Sequence, residues 1–520
     1  MADTDNRTSP LHFFLREEVQ FDGLALRDPL TGNVHRLSEC GRAIVGMLHA
    51  GPTAHEVIAA VTGNGRFDPA MVEREIRQII LLGLFEGTCS GIRARLDQVR
   101  RGEMPAVRVL DGSRFLCQGS GECCRGYVFG PISPEEKSRI EALNPRQALP
   151  QVGDRQLFEA MDAGSGTGDY KLATIDGMCV FLDAGMRCGL HRAFGATAKP
   201  ALCQLYPLAV VATIDGLKIY DRGECATFAI SAQQGTLLSD ELPRIRALAD
   251  REVFHPATRF YRSWTCDYGL VLALADRLDS DFRSRPPLQA LHAIGHVVRG
   301  FILALKSCPF EEGQPESAVS RALASPAGEF RPPDQSVAAN ARAGAQKLMT
   351  LASGLAERTV PSERHAPLFV RATSLLAEIC GHVLDGRPLS PASEAALAVA
   401  TDAETDRALA LSLRHQVFGR DLLLNGCLPA GLLRMALVVV LSLAGSRLLA
   451  CDERSERVSP RQLSVSHMTV KRMLNRPEPF RLLRANGEQA WPVLDSLPLL
   501  AGALDNRQSA GSAGSGTSSI

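Results

Sequence analysis

Seven cysteines crowd the stretch from Phe115 to Cys225, half of the chain's fourteen: Cys117, Cys123, Cys124, Cys179, Cys188, Cys203 and Cys225. The local readings are FLCQGSGECCRG, GMCVFLDAGMRCGLH, ALCQLYPL and RGEC. Each thiol stands beside glycine, proline or another turn former, so the cysteines fall in loops that can fold toward one point. Soft thiolates delivered to one point are what zinc, copper(I) or an iron–sulfur centre requires. All seven are therefore candidate metal ligands. His191, three residues after Cys188, is a candidate nitrogen ligand. Adjacent Cys123 and Cys124 rarely chelate one tetrahedral ion together, so one is read as a ligand and the other as serving a second metal, packing or reaction. Cys179 and Cys188 are nine apart, and fourteen residues separate Cys188 from Cys203. None of these is the compact C-x2-C pair of a zinc ribbon, so spacing leaves zinc and iron–sulfur both open. The bland alternative is reduced cysteines filling a core; their density and glycine flanks argue against it.

A chain of 520 residues suggests about three domains. Lys+Arg and Asp+Glu both number 57, a balance with no global pull toward nucleic acid or an anionic membrane. The start, MADTDNRTSP, lacks a basic-then-apolar leader, so no secretory signal is expected. The longest apolar run, Met435 to Gly445, lies between Arg434 and Arg447. It is far short of the ~20 residues of a membrane span. It reads as a buried helix with the two arginines as solvated ends. The expectation is a cytoplasmic protein without membrane or nucleic-acid partners, where reduced thiols favour metal ligation over disulfides.

Residues 11–37 alternate like short strands: HFFLREEV, GLALRDPLTG and NVHRL, with a turn at Asp28-Pro-Leu-Thr-Gly32. From Ser38 the period becomes helical. Ile44, Val45 and Leu48 form one stripe that stops at Gly51-Pro52. Thr53 caps a second helix and Asp68-Pro69 opens a third, with Val72, Ile76, Ile79 and Ile80 inward. Strands followed by three helices form a winged-helix pattern. The segments DPLTGNVHRLSECGRAIVGMLHAG and DPAMVEREIRQIILLGLFE, with the Thr53–Val61 helix between them, resemble the PqqD-like peptide-recognition family over roughly residues 10–87. That resemblance implies a peptide or protein substrate bound along a strand edge. Residues 11–87 hold seven Arg and Lys against ten Asp and Glu, a net of −3, which disfavours duplex DNA.

In the cysteine region, F-x-C…CC, G-x-C-x-F-L…C and C-x-x-Y-P are similar to the YkgJ-type cysteine-cluster family, associated with zinc or iron chelation. Within that group the middle piece is nearest to flagellin lysine N-methylases, through Cys188, Gly195, Cys203, Tyr206, Pro207 and Cys225. Gly119, Ser120 and Gly121 occupy the place where that family usually has a further cysteine, and Ala198-Lys199-Pro200 replaces its usual loop. The resemblance implies an iron–sulfur cluster or zinc, and S-adenosylmethionine-dependent lysine methylation of a polypeptide. The sequence itself names no catalytic residue and no donor site. A non-catalytic metal-binding or redox-sensing adaptor for a peptide partner is the alternative.

Ser133, Pro134 and Glu136 mark a capped helix start. Leu291, Ile294, Val298, Phe301, Ile302 and Leu305 line one face of a later helix, and a breaker-rich stretch from Pro309 to Ser336 follows. The fold class expected is α+β, mainly α. A winged-helix domain over 1–95, a cysteine-cluster domain over 105–240 and a helical domain over 241–505 precede a disordered tail over 506–520. The run Asp162–Gly168 reads like a nucleotide-binding glycine loop, but QLFEAM before it is no clear strand and a doubly wound domain does not fit there. It reads as an inserted loop. His292 and His296 stand one helical turn apart and could share a metal; without the glutamate of H-E-x-x-H they read as ordinary core or surface histidines.

Overall fold

The computed structural model describes residues 13–504 except 30–32, 81, 83, 85–96, 99–100, 102, 104–105, 126–128, 162–168, 214, 249–258, 262–263, 266–267, 307–321, 325–334, 361–362, 420–421 and 423–426. The expected tail, the glycine run and most of the breaker-rich stretch lie outside these residues, as does the side chain of Cys123. The fold is mainly helical, with small two- and three-stranded sheets among the described residues.

Near the N-terminus, strands Gln20–Phe21, Ala25–Asp28 and Asn33–Arg36 form an antiparallel sheet in sequence order. Helices Glu39–Val45, Ala54–Thr62 and Pro69–Ile80 follow. The second begins with the reciprocal Thr53–Glu56 capping box, which satisfies two backbone donors at once. Phe13, Leu26, Ile44, Val57, Val72 and Ile76 share one buried cluster. The expected first strand, HFFLREEV, is not formed among its described residues. Phe13 and Arg16 instead donate their backbone N–H groups to Pro52 and Leu84, and the Arg16 guanidinium pairs with Asp28 at 2.6 Å, both buried. A buried ion pair thus ties this segment to the end of the second strand, while its backbone bonds to residues outside the sheet.

The middle of the chain is built around a hairpin, Leu208–Thr213 against Gly216–Asp221, with Val107–Val109 added parallel to its second strand. Strands Phe158–Ala160 and Tyr170–Leu172 pair antiparallel on either side of the glycine run. QLFEAM therefore does hold a short strand, contrary to expectation. Its partner is a hairpin return, not the parallel neighbour of a nucleotide-binding sheet.

The large remaining core is helical. The Leu428–Asp452 helix is its axis, with Ala366–Asp385, Pro460–Leu474 and Ala490–Leu504 packed against it. Gly445 permits a close approach to the Pro460–Leu474 helix, since a Cβ there would meet Ser466 Oγ at 2.4 Å. Two helices, Ala366–Asp385 and Leu428–Asp452, are long and apolar enough to cross a membrane by length and composition. The most apolar window of the second is entirely buried within the protein. The apolar run is thus longer than its arginine bounds suggested. Arg434 and Arg447 are 8% and 1% exposed, inside the helix rather than at solvated ends. Arg434 donates to Asn475 Oδ1 and Arg447 to the Leu504 carbonyl. Leu291, Ile294, Val298, Phe301 and Ile302 are buried as their periodicity requires.

Candidate cysteine cavity

Five of the seven candidate cysteines line one cavity of about 1110 Å³: Cys117, Cys124, Cys179, Cys188 and Cys203, joined by His191. Cys179 is buried, Cys124, Cys188 and Cys203 are half-buried, and Cys117 is exposed. The four less exposed thiols all belong to, or pack against, one apolar cluster around Phe129, Phe181 and Leu190.

Local backbone chemistry brings the loops together. Gly121 is left-handed (φ +68°) ahead of the short turn Glu122–Cys124, and a Cβ there would meet Met186 O at 2.4 Å. Only glycine lets the first cysteine loop lie on the Asp183–Cys188 loop. Arg125 bridges to Met178 beside Cys179, and Leu182 bridges to Cys188. Asp183 closes its loop by accepting from the Arg187 N–H at 2.9 Å and pairing with Arg192 at 2.7 Å.

The Pro134–Glu141 helix staples the third loop. Its Ser133–Glu136 capping box forms as the sequence indicates, and the other Glu136 oxygen accepts from Ala201 N at 2.8 Å. Arg139 donates to the carbonyls of Thr197 and Lys199 at 2.9 and 3.1 Å. The short helix Ala201–Leu205 that carries Cys203 is thereby fixed. Arg187, Arg192, Lys199 and Arg222 also line the cavity, opposed by Glu135 and Glu136.

Cys225 lies outside that lining. It packs against the main helical core, with Sγ 3.1 Å from Thr227 Oγ1. The loop that carries it, Asp221–Cys225, crosses from the hairpin into the helical part. Asp221 N donates to His415 Nδ1 at 3.2 Å, and Glu224 Oε1 accepts from Asn475 at 2.6 Å. Gly223 is left-handed, and a Cβ there would meet His467 Nε2 at 2.7 Å. Burial pushes the Asp221 carboxyl up to about 6.

Sequence reasoning missed a second anchor, formed by Arg472 and His365. Arg472 donates to the Glu122 carbonyl and to Tyr206 Oη, both at 3.3 Å, and contacts His365 Nε2 at 2.8 Å. Burial first, then the Arg472 charge, lowers His365 to about 4. Arg364 pairs with Glu122 at 2.8 Å. The helical part thus grips the turn next to Cys124 from a distance of some hundreds of residues in sequence, which no local motif announces.

Among the described residues, no three Cys, His, Asp or Glu side chains are grouped closely enough to hold one metal ion. The donor chemistry nonetheless fits a soft metal, because four thiols meet one apolar wall of one cavity. Set against family models, curated proteins and solved structures, the chain matches none.

Proposed function

We propose that this chain is a cysteine-cluster metalloprotein that modifies a polypeptide, with lysine N-methylation as the reaction class. Cys124, Cys179, Cys188 and Cys203 would hold the zinc or iron–sulfur centre, with Cys117, Cys123 and Cys225 the remaining candidates. The observation that carries this reading is the cavity of about 1110 Å³ that five of these thiols share. A site that only stapled loops would close on its ion. Small-molecule sites usually occupy about 300–1000 Å³, so this volume leaves room for an organic donor or a substrate side chain beside a metal. Bound there, zinc would supply a Lewis acid and an iron–sulfur cluster an electron carrier.

The likeness to flagellin lysine N-methylases brings S-adenosylmethionine as donor. This chain's own task would then be to hold a neutral lysine amine in line with the methyl group, chiefly a matter of position. The N-terminal sheet and its three helices, taken as a PqqD-like winged-helix domain over 1–95, would present the peptide. The metal domain over 105–240, the helical domain over 241–505 and a reducing cytoplasmic setting belong to the same proposal.

A redox-sensing adaptor is the second reading, favoured by Cys117, an exposed thiol at the edge of a cavity lined by four others. Anaerobically prepared full-length protein, supplied with S-adenosylmethionine and lysine-containing peptides, separates the two. Mass increments of whole methyl groups on lysine, absent from Cys188→Ser, support the enzyme. Peptide binding without methylation, lost when Cys117 is oxidised, would favour the adaptor.

A further inference from the structure

We propose a second metal site, independent of the cysteines, in which His292 and His296 clamp one tetrahedral divalent cation of the zinc class. Both lie on the Pro287–Lys306 helix, one turn apart, and their Nε2 atoms are 3.4 Å from each other. As a hydrogen bond that contact is poor, since good N–H donors sit about 2.7–3.2 Å from their acceptors. As a metal bite it fits. Two nitrogens at about 2.0–2.1 Å from zinc, separated by a tetrahedral angle, stand about 3.3–3.4 Å apart. A right-angled pair at the same bond length would stand only about 2.9 Å apart, which disfavours square-planar and octahedral ions.

The ring arrangement agrees. The centroids are 4.7 Å apart, farther than the nitrogens, and the planes are inclined at 71°. The two rings therefore splay, and their Nε2 atoms converge. His292 is buried at 7% exposure while His296 is exposed. One ligand is thus held by packing, and the other faces solvent that can complete the coordination shell. The position of the clamp is set by a close helix contact. Gly295 stands against the Ala490–Leu504 helix, where a Cβ would come within 3.0 Å of Leu494.

The neighbouring charges do not repel a cation outright. Arg299, one turn further along the same helix, pairs with Asp495 at 3.0 Å and lies over the Trp491 ring. Its charge is therefore matched. Both imidazoles are held below their ordinary value, chiefly by burial, so each offers a neutral nitrogen at physiological pH.

The test uses full-length protein, stripped by a chelator and reloaded with Co²⁺ as a spectroscopic substitute for zinc. Wild type is compared with His296→Gln, a change at an exposed position, and with Cys188→Ser. The wild-type minus His296→Gln difference spectrum should show intense tetrahedral d–d bands without thiolate charge transfer. His296→Gln should bind one equivalent less, and Cys188→Ser should keep that equivalent. His292→Asn should behave like His296→Gln, with metal-free melting temperatures of all variants reported beside the spectra. Equal Co²⁺ binding by wild type and His296→Gln would overturn the proposal. So would a difference spectrum dominated by thiolate bands.

Discussion

At the scale of single residues, Gly121 decides whether the first cysteine loop can lie on the Asp183–Cys188 loop. Its left-handed backbone and the contact that a Cβ there would make with Met186 predict that Gly121→Ala costs about 1–3 kcal/mol. Urea denaturation should report the loss, and Cys124 should become easier to alkylate. An unchanged midpoint with unchanged alkylation would show that the two loops do not depend on this contact. Residue type was readable at this scale: thiols stand beside glycines in the sequence, and five of them line one cavity. Arg434 and Arg447 were misread because charges at the edge of an apolar run normally mark solvent. Their actual partners, Asn475 and the Leu504 carbonyl, lie far along the chain.

At the scale of elements, capping chemistry was readable and strand content less so. The Thr53 and Ser133 caps form as their sequences require, because the interaction spans only three residues. The HFFLREEV segment alternates like a strand but is held by the buried Arg16–Asp28 pair, a contact that periodicity cannot encode. The sheet formed by Val107–Val109 and the 208–221 hairpin was missed because its strands are short and its third member is distant in sequence. Glu136 serves two elements at once, capping its own helix and the one that carries Cys203. Glu136→Ala should therefore cost about 1–2 kcal/mol, the upper range for a lost cap. Cys203 should lose protection from thiol reagents, while Cys179, on the short hairpin that pairs Thr174 with Cys179, keeps its own. On the central helix, Leu441 is fully buried, and Leu441→Ala should lower stability by about 2–5 kcal/mol. Calorimetry of the two variants should rank them in that order.

At the scale of the whole molecule, the cysteine region is not hung on the helical part by a flexible link. Asp221–Cys225 and the Glu122 turn are gripped by His415, Asn475 and Arg472, and His365 in turn contacts Arg472. This seam carries histidines held neutral, mainly by burial: His365 at about 4, His415 at about 3, and His467 well below its usual 6.5. The unfolded chain takes up protons on these rings below about 6.5 and the folded one does not, so stability is complete above that pH and falls as acid is added. Asp221, raised to about 6, works in the opposite sense between its ordinary 3.8 and 6, one carboxyl against three imidazoles. The urea midpoint should therefore drop between pH 6.5 and 4.5, and less steeply in His365→Gln. A flat profile in wild type would mean that these rings are not buried as neutral bases.

The central claim is that the cavity thiols hold a soft metal or cluster, and metal content tests it most directly. Protein prepared without air should carry zinc, or iron with acid-labile sulfide, at near one site per chain. Cys179→Ser, Cys188→Ser and Cys203→Ser should each lose it, and an iron–sulfur sample should be brown and bleach in air. A folded, metal-free wild type whose cavity thiols are all readily alkylated would contradict the account.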